Sequence, residues 1–358
     1  MSLLDTFDDL IAHDGPAAIV LKQPMMPVEG EDGVVFPATY AAGGNFPGGY
    51  NIDTDAHGRT VALIDSVGAQ ANRIEPMFGT EPYSDLIPQV VITAGENSVN
   101  LLNAGHRAGD ALVRCSSLQS DLKAAFKRLL SGDATPLAKI APTSLVFGVW
   151  DSRDTQAKVP RVIASTIRAF DVRKLTRSAQ FNPALDYVEE KLLDEATDSA
   201  TKDKYSKRGF NHVPSTATHG GVIADGGILR TATLNLAAIR QLRCGNDADQ
   251  TRALQRYVLG LSLVAFTKDV SGYLRQGCNL VVNPNQASEF VVVQLNGVRT
   301  KCEITHELSG RYAAEAAKAF GVGENRTIPF DKDKALADLT DDGESKPKSK
   351  KSKQAASN

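Results

Sequence analysis

Apolar residues recur along this chain at two spacings, one helical and one strand-like. In residues 62–75, Ile64, Val67, Ala71 and Ile74 follow helical spacing and mark one buried face. Ser66, Ala69 and Arg73 lie opposite, with Gln70 and Asn72 at the flanks. The spacing predicts a helix over 60–75. A second amphipathic helix is predicted over 118–131, with Leu118, Leu122, Ala125, Phe126 and Leu129 inward and Lys123, Lys127 and Arg128 outward. The clearest helical signal runs from Thr251 to Phe266, and a small helix at 311–320 closes the pattern. Strands are predicted from Ala17 to Leu21 and over 87–94, 144–150, 159–172, 278–283 and 289–296. The last of these ends in the turn pair Asn296-Gly297. The segment Ala232 to Leu242 reads as a short strand or a short helix. A short helix is predicted ahead of the first strand, and the glycine-crowded stretch 37–59 reads as loop.

Two stretches break this rhythm. Residues 174–230 are polar and rich in Lys, Asp, Ser, Thr and Gly, with one helix predicted from Pro183 to Ala196. A long irregular stretch inside a compact domain is usually functional or disordered. From 331 onward the chain turns acidic, then ends in a lysine-rich run from Lys346 to Lys353. The reading is a disordered tail over 331–358.

With 358 residues, 42% hydrophobic and 23% charged, the chain has the makeup of a globular protein with ample core. The net charge is −2, so contact with a polyanion must rest on local basic patches. Aromatic residues make up only 6%, with Trp150 the single tryptophan, which argues against binding mainly by base stacking. Cys115, Cys244, Cys278 and Cys302 are scattered, without metal-ligand spacing, and read as buried thiols of a reducing compartment. The acidic start lacks a secretory leader's basic region, and no apolar run reaches membrane-spanning length, so a cytoplasmic location is expected.

Catalytic motifs are missing. No Lys-Ser/Thr follows the glycines at 43–49, so there is no P-loop. The glycine Gly260 lies in an apolar helix without the second glycine of a nucleophile elbow. Asp53, Asp55 and His57, and separately Asp151 and Asp154, crowd closely enough to hold a divalent ion, although loop acids are more often simply solvated. No metal, cofactor or catalytic residue is assigned.

Basic residues are present and clustered. Arg153, Lys158, Arg161, Arg168, Arg173, Lys174 and Arg177 are set against only Asp154 and Asp171. Lys202, Lys204, Lys207 and Arg208 are set against Asp203. Strand alternation over 159–172 would put Arg161 and Arg168 on opposite faces unless a bulge intervenes. Either cluster could be a phosphate-binding patch or ordinary solvated charge. In His106-Arg107-Ala108-Gly109-Asp110-Ala111, Asp110 could hold Arg107 as a structural pair, or Arg107 could aim at a phosphate.

Eight segments in order carry a family resemblance. They are Leu63-Ile64-Asp65-Ser66 through Glu75; His106 to Ala111; Phe147-Gly148-Val149-Trp150-Asp151-Ser152; Pro160-Arg161-Val162 with Ser165 to Val172; Val213-Pro214-Ser215; Gly220-Gly221-Val222; Arg230 to Leu236; and Leu274-Arg275-Gln276-Gly277-Cys278. Together, over about residues 15 to 320, they resemble the RAMP-superfamily backbone subunit of type I CRISPR interference (Cascade) complexes, subtype G (formerly U). The resemblance implies an α+β fold: one RRM-like (ferredoxin-like) palm over 1–330 with large insertions, including a thumb β-hairpin within 174–230. It implies a non-catalytic subunit that binds guide RNA (crRNA) and polymerises head to tail along it. It implies contact with other Cascade subunits and with target DNA through guide pairing. The residues expected at the RNA are Gln70, Asn72, Arg73, Arg107, Lys158, Arg161, Arg168, Lys204, Lys207 and Arg208. The alternatives are a metal-dependent endoribonuclease cutting bound target RNA through Asp53 or Asp55, and a stand-alone α/β protein with a small-molecule pocket.

Overall fold

The computed structural model describes residues 2–269 and 272–340. Its centre is an antiparallel sheet, whose strands we number with those of a projecting hairpin in chain order. They are β1 (Ala18–Pro27), β2 (Ile52–Thr54), β3 (Thr60–Asp65), β4 (Ile163–Phe170), β5 (Val172–Phe181), β6 (Val213–Ala224), β7 (Ile228–Asn235), β8 (Tyr273–Arg275), β9 (Cys278–Val282), β10 (Glu289–Val293) and β11 (Arg299–Lys301). The helices used below are α1 (Val67–Ile74), α2 (Leu118–Leu130), α3 (Thr143–Phe147), α4 (Ser199–Arg208), α5 (Ala248–Thr267), α6 (His306–Phe320) and α7 (Lys332–Thr340). The sheet runs β8-β9-β1-β7-β4-β3-β2, with β10 also on β1 and β11 on β10. β1 is long enough to divide one edge between two partners, β10 along Ala18–Lys22 and β9 along Met25–Pro27.

Within this sheet, the neighbours β10-β1-β7-β4 stand in a 4-1-3-2 order. A helical crossover containing α1 to α3 joins β1 to β4, and α5 lies between β7 and β10. That is the split βαβ arrangement of a ferredoxin-like core. The remaining strands and the long first crossover are insertions into it. Alternation explains the sheet's two faces: in β7, Ile228, Arg230, Ala232 and Leu234 are buried and their neighbours are not.

The larger hydrophobic core lies where α5, α6 and the helical crossover cover the sheet, with Tyr257, Tyr312, Phe126 and Leu145 fully buried. α5 and α6 approach so closely that a Cβ on Gly260 would stand 2.8 Å from the Ala313 Cα, so only glycine fits there. A smaller core, toward the other end of the same strand face, joins Ala62, Ile64, Ile167, Ala169 and Ile228 to Val35, Tyr50 and Val222. All four cysteines are buried and free, as their scatter suggested.

Several elements depart from the pattern-based expectation. Residues 60–75 are a strand and a helix rather than one helix. Ser66 caps the helix, its Oγ accepting from the Ala69 amide at 3.2 Å, and Thr60–Asp65 pairs with β4 and β2. The run 144–150 is mostly α3, entirely buried, since a short apolar run suits a buried helix as well as a strand. Gly148, at φ 80°, ends that helix. The strand expected over 159–172 begins at Ile163 and breaks at Asp171 (φ 49°), from which β5 leaves the sheet. The helix expected from Pro183 to Ala196 is absent. Asp186 instead closes a turn on the Val188 and Glu189 amides, and Lys191 adopts φ 58°. The helix of that region is α4, capped by Asp198 and ended by left-handed Gly209. α7 occupies 332–340, where an unstructured tail was expected from 331; the lysine-rich run lies outside the described residues. No described helix is long and apolar enough to cross a membrane.

Candidate nucleic-acid interface

The short strands Val149–Trp150 and Lys158–Val159 pair across a tight loop and turn their outer surface toward the segment 105–114. Between them lies an open cleft of about 790 Å³. Asp151 builds the loop. It is buried, and it accepts hydrogen bonds from the Asp154 and Thr155 amides and from the Thr155 hydroxyl. This acid is consumed by the turn. The positive φ of Gly148 sets the cleft floor. A Cβ there would meet Arg161 Cγ at 2.8 Å and the Val159 carbonyl at 3.0 Å.

The walls are basic. Arg107, Arg114, Arg153, Lys158 and Arg161 line the cleft together with Trp150. Trp150 is 52% exposed, unusual for a large apolar ring, and the Lys158 ammonium sits 4.5 Å from its ring centroid. Arg153, Lys158 and Arg161 form no ion pair among the described residues. Partial burial, and then the neighbouring Arg107 charge, pull the Arg161 guanidinium below its ordinary value. A bound anion would relieve both effects. The cleft can therefore take a phosphate against its cations while an unpaired base stacks on the indole.

Arg107 itself is structural. It is 4% exposed, it adopts φ 52°, and its Nε donates to Glu75 Oε2 at 2.6 Å. Its other nitrogens donate to the Gly148 carbonyl and to Asn72 Oδ1, each at 3.3 Å. Glu75, not Asp110, is its partner. Asp110 instead caps the following short helix by accepting from the Leu112 amide. Burial pushes the Glu75 carboxyl up, against the pull of the Arg107 charge.

The other expected contacts are distributed. Gln70 is 1% exposed and joins Asp65 to Ser165, so it holds α1 to the sheet. Arg73 donates to Asp65 at 3.1 Å and is partly exposed, and Asn72 is exposed. Arg168 lies exposed on β4, donating to Thr166. Arg161 precedes that strand, so alternation does not relate the two. Arg173 pairs with Asp225 at the base of the hairpin β5–β6, and Lys174 and Arg177 stand exposed along it. Lys204, Lys207 and Arg208 are exposed on α4 in the hairpin's end segment, Lys207 with Asp203. The basic windows are thus a cleft, a sheet face and a projecting hairpin, not one patch. Sequence reasoning missed the cleft role of Trp150 and Arg153. The cue was there, since the only tryptophan stands eight residues before Lys158 across a loop of Asp, Ser and Thr.

Of the loop acids near the glycine stretch and the cleft, Asp151 serves its turn and Asp154 pairs with Lys123 at 3.2 Å. Asp55 accepts from the His57 and Arg59 amides and from the Arg59 guanidinium, and these bonds hold its carboxyl below the usual range. Among the described residues, no three His, Cys, Asp or Glu side chains converge to hold a metal ion.

The molecule is therefore an α+β protein with a ferredoxin-like core, a projecting basic hairpin and a cationic cleft in which Arg107 and Arg114 are ion-paired while Arg153, Lys158 and Arg161 form no ion pair among the described residues. Residues 19–174 match the family described as CRISPR-associated protein GSU0053. The matched stretch runs from β1 to the start of β5 and contains every residue of the cleft. No curated protein matches the chain significantly.

Proposed function

We propose that this protein is a non-catalytic, guide-RNA-binding backbone subunit of a Cascade-type interference complex. In this reading several copies assemble head to tail along one guide in the cytoplasm, beside other subunits, and present it for pairing with target DNA. The observation that carries the reading is the cleft: three cations that form no ion pair among the described residues surround one exposed indole within the stretch that matches a CRISPR-associated family. Phosphate contacts grip the backbone irrespective of sequence, as a guide scaffold requires. The indole receives a base without reading it. Strand β5 of the hairpin, mostly exposed on both faces beyond Val172, suits the thumb that would reach a neighbouring copy or the guide.

Trp150 makes the test direct, because any tryptophan emission comes from the cleft. Single-stranded RNA titrated into protein freed of nucleic acid should quench that emission. Lys158→Ala or Arg161→Ala should each lower the slope of log affinity against log salt by about 0.7. Unchanged emission together with an unchanged slope would refute the reading.

A further inference from the structure

The buried row of β7 carries a residue that does not belong to an apolar stripe. Arg230 stands between Ile228 and Ala232 and is 2% exposed. Its Nε donates to Ser165 Oγ at 3.2 Å and its Nη1 to Gln23 Oε1 at 3.3 Å, both neutral groups. No carboxylate lies within ion-pair distance of it among the described residues. Burial pulls its guanidinium down to about 10.

The bonds continue beyond Arg230. Ser165 donates to Gln70 Oε1 at 2.9 Å, and Gln70 Nε2 donates to Asp65 Oδ2 at 2.7 Å. Asp65 also takes Arg73 at 3.1 Å and Arg275 at 2.7 Å. Four members, Asp65, Gln70, Ser165 and Arg230, are buried. Three guanidiniums thus share one carboxylate, leaving an excess of two positive charges inside a connected network. Buried charge left without a counter-charge is costly, and its usual compensation is a bound anion.

A cavity lies where that excess is concentrated. Its volume is about 160 Å³, and Gln70, Arg73, Arg230, Lys268, Asp269 and Leu274 line it. At the rim the Asp269 charge acts on Arg230 and Lys268 adds one positive charge, so the net excess of two stands. A cavity of that volume admits a group about the size of benzene. A phosphate group fits, and a nucleoside does not.

We propose that this cavity between α1 and the sheet is a phosphate-binding site, with Arg230, Arg73 and Lys268 as donors. The phosphate is either a free ion or one phosphodiester of an RNA backbone. The proposal stands on the network and does not require the cleft at Trp150 to bind RNA.

The test uses the full chain freed of nucleic acid. Its unfolding temperature is followed against inorganic phosphate, with chloride at matched ionic strength as control. A saturable rise with phosphate alone, lost in Arg230→Met and in Lys268→Ala, supports a free-ion site. Lys268 is exposed, so its replacement leaves the fold intact even where Arg230→Met does not fold. In the second arm, the salt dependence of binding to a single-stranded oligoribonucleotide is compared for the wild type and Lys268→Ala. A slope lower by about 0.7 in the variant assigns the phosphate to the RNA backbone. No phosphate-specific rise and no change of slope overturn the proposal. Should Lys158→Ala weaken RNA binding in that same case, the guide-binding reading stands and only this site falls.

Discussion

Arg107 shows how a side chain's surroundings decide its role. Its guanidinium is locked between Glu75, Asn72 and the Gly148 carbonyl, with the Phe147 ring 5.5 Å away. Removing one partner of a buried pair strands the other charge, so Arg107→Ala should destabilise the fold by about 3 kcal/mol or more in urea denaturation. Lys158→Ala, 4.5 Å from an exposed ring, should leave that stability within about 0.5 kcal/mol of wild type while weakening RNA binding. An intact Arg107→Ala that loses only RNA affinity would reverse the two roles. The sequence could not separate these residues. Both are basic; only burial, set by long-range packing of α1 against the crossover, distinguishes them. Gln70 was misplaced for the same reason. At the flank of a predicted helix it looked like a surface amide, whereas the helix begins seven residues later than expected and Gln70 is buried against the sheet.

Among the elements, the amino-terminal segment is fastened to α5 by charge. Asp8 takes Arg252 and Arg256, and Asp5 also takes Arg256, at 2.5 to 3.0 Å. Burial alone would raise the Asp8 carboxyl, but the two guanidiniums outweigh it and hold it below its usual value. The folded carboxyl therefore titrates below the unfolded one, near 3.8. Its stabilisation is fully present above that pH and is lost as pH falls through the folded value. Asp8→Asn should cost on the order of 1 kcal/mol at pH 7 and flatten the acid limb of the stability profile. A mutant that parallels wild type down to pH 2 would show the clasp to be idle. The helices α2, α5 and α6 were legible in the sequence because each carries a long amphipathic or apolar period. The buried helix α3 was not, because five apolar residues carry no period at all.

For the molecule as a whole, the outer part of the insertion between β4 and β7 adds reach without adding core. Residues 182–212 contribute nothing to either hydrophobic core, although Tyr187, Tyr205 and Phe210 pack edge-on among themselves. Replacing 182–212 by a short glycine turn between Phe181 and Val213 should leave the urea midpoint nearly unchanged. It should remove the Lys204, Lys207 and Arg208 contribution to RNA affinity. A collapse of the midpoint would mean that the hairpin is part of the folding unit. The 4-1-3-2 strand order was not readable from local pattern, since it is fixed by pairings such as β1 with β7 that span two hundred residues.

The last described helix bears on the cleft from a distance along the chain. Asp338 of α7 holds Arg114 through two hydrogen bonds, at 2.7 and 3.3 Å, and Arg114 lines the same cleft as Trp150. α7 spans only about 14 Å, and Asp338 lies in its final turn. A fluorescent acceptor attached after Thr340 would therefore sit within energy-transfer range of the lone indole. The two ends of that ruler already exist in the chain, one at the cleft and one where α7 stops. Binding that draws Arg114 away from Asp338 would lengthen it, and the change in transfer would time the event in solution without altering a residue that meets the ligand.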